Sequence, residues 1–221
     1  MKKIAVVAGT LVDTEMGARI IEQKGLEAVS LPMSRTCEEQ ANMQYFSKEA
    51  LEKQFEESLC AAREQGAEQA FLYCNSLSGA IDYRRIREKL HMNVVSPLDT
   101  YEQLPAGVKN VVVLAANGLS AYNIEKIIRT ADHEKNVIAI GWLPLVHAIE
   151  TGASPKKIAE ELNLKGLVQF LEGISQEQFE IDSILLGCTH FPYIKEELAK
   201  LTELRVIDPA EEMLKRLKLE E

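Results

Sequence analysis

The sequence predicts two pseudo-symmetric α/β domains, each with a mostly parallel sheet flanked by helices, with the active site in the interdomain cleft. Three observations carry that expectation. Short apolar runs alternate with longer amphipathic stretches along nearly the whole chain, as β-α-β winding requires. The runs are continuously apolar and rich in Val, Ile and Leu, as strands covered by helices on both faces should be. One design also occurs twice: FLYCNSLSGAIDY and LLGCTHFPYIKEEL each pass from an apolar strand through a cysteine and a few small polar residues into a helix.

The expected strands are 4–8 (IAVVA), 27–31, 69–74, 93–96, 111–116, 137–140, 183–187 and 204–208. The opening MKKIAVVAGTLVDTEMG superficially suggests a secretory signal, but its apolar run is short and Asp13 and Glu15 interrupt it, so it reads as a first strand. Between the strands lie amphipathic helices. Residues 47–65 start at Ser47 as N-cap, carry Leu51, Phe55, Leu59 and Ala62 on one face, and stop before Gly66. Residues 155–162 follow Ser154 as N-cap, with Pro155 at the first helical position. Further helices are expected over about 14–24, 79–90, 119–131, 145–151, 193–201 and 210–219. The stretch SPLDTYEQLPAG (96–107), with two prolines and a glycine, is the expected crossover between halves.

Composition bounds the function. The 221 residues are 46% hydrophobic and 27% charged, ordinary for a globular protein. A formal net charge of −9 argues against a nucleic-acid partner, because phosphate neutralisation needs a basic stripe. No apolar run has the length of a membrane span. The four cysteines, Cys37, Cys60, Cys74 and Cys188, form no CxxC pair and no zinc-like cluster. The expectation is a cytoplasmic protein with reduced thiols and no metal site.

Cys74 and Cys188 stand apart from the other two. Cys60 lies inside an amphipathic helix beside Leu59, and Cys37 has acidic neighbours; neither is given a role. Cys74 and Cys188, 114 residues apart, each close a strand and precede polar residues and a helix start, a setting that lowers a thiol pKa. Asn75, Ser76 and Ser78 after the first, and Thr189 and His190 after the second, supply groups suited to an anionic ligand. Two such thiols across a cleft suit racemisation or epimerisation: one removes a proton from carbon while the other delivers a proton to the opposite face, with no metal or cofactor.

These residues resemble the aspartate/glutamate racemase superfamily, and most closely its glutamate racemase branch. GCTHFP (187–192) is similar to that branch's second cysteine motif, GCTHYP; YCNS (73–76) resembles the first, usually CNTAS; and PLVHAIETG (144–152) resembles a segment ending I-E-x-G. The resemblance implies that Cys74 and Cys188 are the catalytic acid/bases and that His190 and Glu150 assist the second thiol. It further implies that Asn75, Ser76 and Thr189 hold the substrate's carboxylate and amine. It also implies a homodimer, a small-molecule amino acid or related carboxylate as ligand, and a C-terminal segment returning to the first domain. The run RVIDPAEEM (205–213) resembles that returning strand and helix, so the domains are expected as 1–97 plus 207–221 and 98–206.

The departures from the family pattern bear on the pocket. The family's D-S-G after the first strand is here Ala8, Gly9 and Thr10, with Asp13 the nearest aspartate; its P-Y-G motif becomes P-M-S-R (32–35), ending in Ser34 and Arg35. NGLSAY (117–122) keeps Ser120 but has Asn117 where threonine is usual. Gly9, Thr10, Ser34, Asn117 and Ser120 are therefore candidate substrate-binding residues. The length is nearer the aspartate racemase branch, whose second motif normally carries Glu where this chain has His190. Besides an amino-acid racemase acting on glutamate or another amino acid, two readings stay open. One is a superfamily isomerase or hydantoin-type racemase acting on a non-amino-acid carboxylate or amide; the other is a non-catalytic ligand-binding homologue.

Overall fold

A computed structural model describes residues 2–43, 45–176 and 179–218. The chain divides into two compact units, Met1–Asp99 with Ala210–Glu221, and Thr100–Pro209. The first unit opens with β1 (Lys3–Ala8), α1 (Leu11–Glu22), β2 (Glu27–Pro32), α2 (Cys37–Met43) and α3 (Lys48–Glu64). It continues through β3 (Ala67–Tyr73), α4 (Asn75–Ala80), α5 (Tyr83–Leu90), β4 (Asn93–Val95) and α6 (Pro97–Tyr101). Its four strands are all parallel, in the order β2-β1-β3-β4. Helix α1 lies close on the sheet because residue 17 is glycine: a Cβ there would come within 2.9 Å of Val6 and 3.0 Å of the Tyr73 ring.

The second unit repeats the plan. It contains β5 (Asn110–Ala115), α7 (Gly118–Ala131), β6 (Asn136–Gly141), α8 (Leu143–Glu150), α9 (Pro155–Glu161) and α10 (Leu164–Ile174). β7 (Ser183–Gly187), a 3₁₀ turn at Phe191–Ile194, α11 (Lys195–Ala199) and β8 (Arg205–Ile207) complete it. The strand order is β6-β5-β7-β8, again all parallel. Glycines again set the packing distance. A Cβ at Gly187 would approach Ile124 of α7 to 2.8 Å, and one at Gly141 would meet the Asn117 backbone at 2.5 Å.

The last helix, α12 (Pro209–Arg216), returns to the first unit. Ala210, Met213 and Leu217 recur at helical spacing and enter a core formed by Ile4, Val6, Ala8, Ile21, Phe71, Tyr73 and Val95. Side chains clasp the end of that helix. The Gln69 amide donates to the Lys218 carbonyl (3.0 Å) and accepts from the Lys218 N–H (2.8 Å), while Asn93 bridges Gln69 and the Arg216 carbonyl. The segment expected to return as strand plus helix returns as helix alone. Strand β8 stays on the second sheet, where Arg205, Val206 and Ile207 extend the parallel ladder of β7.

All eight expected strands occur, shifted by no more than two residues at either end. The helix expected over 79–90 is two helices, because Asp82 caps α5 through Arg85 N–H and its own N–H is held by Glu52. The expected 193–201 helix begins as the 3₁₀ turn, and the final residue of the expected 210–219 helix lies outside the described residues. Helices α2, α6 and α10, and the part of α4 before Gly79, were not expected from the sequence.

Two stability outcomes follow. Met213 is fully buried, so Met213→Ala should lower unfolding free energy by roughly 3 kcal/mol in urea titrations. The Asp82 N–H, and then the Arg85 guanidinium and Lys48, hold the Glu52 carboxyl below its ordinary value of 4.5, against the opposing effect of burial. A depressed folded pKa adds stability that is fully present above about 4.5 and lost as pH falls through the folded value. Glu52→Gln should therefore flatten the acid limb of a stability-against-pH curve while lowering stability at neutral pH.

Candidate active site

Each sheet changes winding direction between the first strand of its unit and the third. In such parallel sheets, ligands sit outside the carboxyl ends of the two strands flanking that reversal. In the first unit these are β1 and β3, whose last paired residues are Ala8 and Tyr73. Gly9 and Thr10 therefore leave the sheet beside Cys74, Asn75 and Ser76. In the second unit the ladder of β5 and β7 ends at Ala115 and Gly187, placing Ala116 and Asn117 beside Cys188, Thr189 and His190.

Cys74 is buried and is the N-cap of α4, its sulfur accepting the Leu77 N–H at 3.4 Å. From α2, the Gln40 amide Nε2 lies 3.9 Å from the same sulfur. Beneath the turn, the Ser78 hydroxyl donates to the Cys74 carbonyl (2.6 Å) and receives a hydrogen bond from the Ser96 hydroxyl (2.8 Å). Ser96 is fully buried, its hydroxyl accepting the Leu98 N–H and its own N–H donating to Asp99. Asp99 also accepts the Tyr83 phenol (2.9 Å), and burial followed by the Asp99 charge pushes that phenol up to about 12. Asn75 is buried and Ser76 half-buried.

The other candidates of this unit gather at the β1 exit. Thr10 and Asp13 form a reciprocal capping box on α1. The fully buried Asp13 carboxylate accepts the Gly9 N–H (3.2 Å), the Thr10 N–H (2.6 Å) and the Thr10 hydroxyl (3.0 Å). Ser34 donates its hydroxyl to the Gly9 carbonyl at 2.5 Å, tying the loop after β2 to the β1 exit. Arg35 is exposed, with its backbone N–H on the Glu39 carboxylate.

In the second unit, Cys188 and His190 are both buried, with Cys188 Sγ 3.7 Å from His190 Nδ1. His190 Nε2 lies 2.5 Å from Glu150 Oε1 at the end of α8. An ionised Glu150 requires a proton on Nε2, which leaves Nδ1 as the acceptor facing Cys188 when the ring is neutral. The three residues form a thiol–imidazole–carboxylate chain within one unit. Thr189 is buried beside them. Asn117 caps α7 by accepting the Ser120 N–H at 2.9 Å, and Ser120 is buried in the first turn. Cys60 is exposed on α3. Among the described residues, no group of three or more His, Cys, Asp and Glu side chains is placed to hold a metal ion, and no helix is long and apolar enough to cross a membrane.

Gln40 is the neighbour of Cys74 that sequence reading missed. Nothing in CEEQANM distinguishes it from a solvated helix residue, and only the packing of α2 brings it to the thiol.

The structure defines a two-unit parallel α/β protein in which the third strand of each unit delivers a buried cysteine. The family model for Asp/Glu/Hydantoin racemase matches residues 53–217, and the chain belongs to that family. It is 29% identical to the glutamate racemase of Fusobacterium nucleatum subsp. nucleatum over 148 residues, 65% of this chain and 53% of the relative. The chain thus spans about half the length of the curated relatives it matches. Glutamate racemase from Francisella tularensis subsp. tularensis SCHU S4, solved in complex with D-glutamate, superposes with a TM-score of 0.68 at 20% identity, covering 98% of this chain and 79% of that one. The Picrophilus torridus aspartate racemase gives 0.66 at 17% identity, covering 97% and 94%. At those identities the structural likeness speaks for the fold.

The carboxylate contact makes the imidazole tautomer a direct readout of the chain Cys188–His190–Glu150. Nitrogen-15 NMR of the neutral ring should find the proton on Nε2, and Glu150→Ala should shift population toward the Nδ1–H form.

Proposed function

We propose that the protein is a cofactor-independent amino-acid racemase in which Cys74 and Cys188 are the two acid/bases, with glutamate or another amino acid as substrate. The observation that carries this reading is that the same strand of both sheets, β3 and β7, is followed at once by a buried cysteine. One thiolate takes the proton from Cα. The opposite thiol gives its proton to the other face of the carbanion, and the two sulfurs exchange protonation states. The mechanism requires both thiols to reach opposite faces of one carbon. His190, held by Glu150, is the group that takes up and returns the Cys188 proton. Asn75, Ser76 and Thr189, with Gly9, Thr10, Ser34, Asn117 and Ser120 around the two strand exits, are the proposed substrate-binding set. The reading includes a homodimer, for which the half-exposed apolar edge strand β6 and the exposed Leu119 and Tyr122 of α7 offer a surface.

A second reading keeps the two thiols and changes the substrate to a carboxylate or amide other than an amino acid. It is favoured by the Asp13 carboxylate, whose two oxygens accept hydrogen bonds from Gly9 and Thr10 at the β1 exit.

Proton NMR in deuterated water, run over a panel of amino acids and related carboxylates and amides, tests both. The expected result is exchange of the Cα proton in at least one amino acid, abolished by Cys74→Ala and by Cys188→Ala. Exchange confined to a hydantoin or other amide selects the second reading, and no exchange with any member sinks both.

A further inference from the structure

The two thiols stand in chemically different surroundings. Cys188 faces an imidazole that can take its proton. The Cys74 sulfur is approached by two N–H donors, the Leu77 backbone amide at 3.4 Å and the Gln40 side-chain amide at 3.9 Å. A carboxamide does not titrate, so it can favour one protonation state of a sulfur without exchanging a proton with it. Amide N–H groups aimed at sulfur favour the thiolate.

Gln40 also has a built seat. A Cβ added at Gly9 would lie 2.0 Å from Gln40 Nε2 and 2.7 Å from its Cδ, the two closest atoms it would meet. Gly9 is beside Cys74 because Ala8 and Tyr73 are register partners on adjacent strands. Its backbone N–H is held by Asp13 and its carbonyl by Ser34, so the seat is anchored on both sides. The space over the strand exit that any other residue would fill is occupied by the Gln40 amide.

We propose that Gln40 is a positioning residue for Cys74, seated by the missing side chain of Gly9, and that its amide N–H holds Cys74 in the thiolate form. The catalytic consequence rests on the racemase reading: Cys74 enters the reaction as the resting base, and the proton store lies on the Cys188 side. The chemical claim is independent of turnover.

The test reads the thiol directly. In a chain carrying Cys37→Ser, Cys60→Ser and Cys188→Ser, Cys74 is the remaining cysteine. Its thiolate-to-thiol ratio is read as a function of pH from the ultraviolet thiolate band and from the rate of iodoacetamide alkylation. Gln40→Leu should lower the thiolate-to-thiol ratio at a given pH about tenfold, the low end for a hydrogen bond to a charged group. At a pH well below both midpoints, alkylation should slow only about threefold, because the more basic thiolate is the better nucleophile. Gly9→Ala should reproduce both effects by displacing the flexible end of Gln40, at little cost to the fold. The double variant should add nothing further. An unchanged or larger thiolate fraction in Gln40→Leu overturns the proposal, since the latter means that the amide oxygen faces the sulfur. Additive effects of the two substitutions overturn it as well, because Gly9 then acts by another route. If the thiol responds as expected but the unsubstituted chain exchanges no Cα proton, the racemase reading fails and the assignment of Gln40 stands.

Discussion

Parallel pairing is the constraint on which the rest of this structure depends. Strands that all run one way can be joined only by crossovers, so every strand of a sheet delivers its next residue to the same edge. Because β1 sits inside its sheet, with β2 on one side and β3 on the other, the crossovers leave the β1/β3 junction in opposite directions. Backbone register then sets which residues share the opening. Ala8 pairs with Tyr73, so Gly9 and Cys74 emerge together; Ala115 pairs with Gly187, so Ala116 and Cys188 do the same. In both units the thiol emerges beside a small residue, and the sheet supplies that arrangement twice.

Satisfying buried polar groups shapes what surrounds each thiol. A buried hydroxyl or carboxylate left without a partner costs about 1–3 kcal/mol or more, so these groups turn toward the backbone wherever they can. Asp13 closes the α1 cap, Ser34 ties down the Gly9 carbonyl, and Ser78 with Ser96 holds the Cys74 carbonyl. These bonds fix the path of the chain around Cys74. On the second unit the polar chain runs through side chains instead, from Cys188 through His190 to Glu150, and such a chain can carry a proton.

The inner strands β1, β3, β5 and β7 were legible because a strand buried on both faces needs an unbroken apolar run, and each of the four has one. The long capped helices were legible for an equally local reason, as Ser47 and Ser154 show. What escaped depends on distant partners. NSLS (75–78) lies outside the expected helix, yet it is helical because the thiol it follows caps it. LKGLVQFLEGI carries two glycines that weaken its helix propensity, but Leu164, Val168 and Leu171 bury one face of it. The break at Asp82 depends on Glu52, thirty residues earlier. Cys188, His190 and Glu150 were legible as motif positions, whereas the Gln40–Cys74–Gly9 contact leaves no local trace. It joins three elements through the packing of a seven-residue helix.

Thermodynamics limits what the difference between the thiols can do in the proposed reaction. Two enantiomers have equal free energies in water, so a racemase must have equal kcat/KM in the two directions whatever surrounds its bases. Placing a non-titrating donor at Cys74 and an imidazole at Cys188 cannot make the enzyme favour one product. It can only decide which enantiomer meets the resting protonation state of the free enzyme, and so lower kcat and KM together for one direction relative to the other. The benefit of the arrangement lies elsewhere. On the proposed assignment, a thiolate on one side with a proton store on the other disfavours both the doubly protonated and the doubly deprotonated pair, which are idle because inversion needs one base and one acid at once.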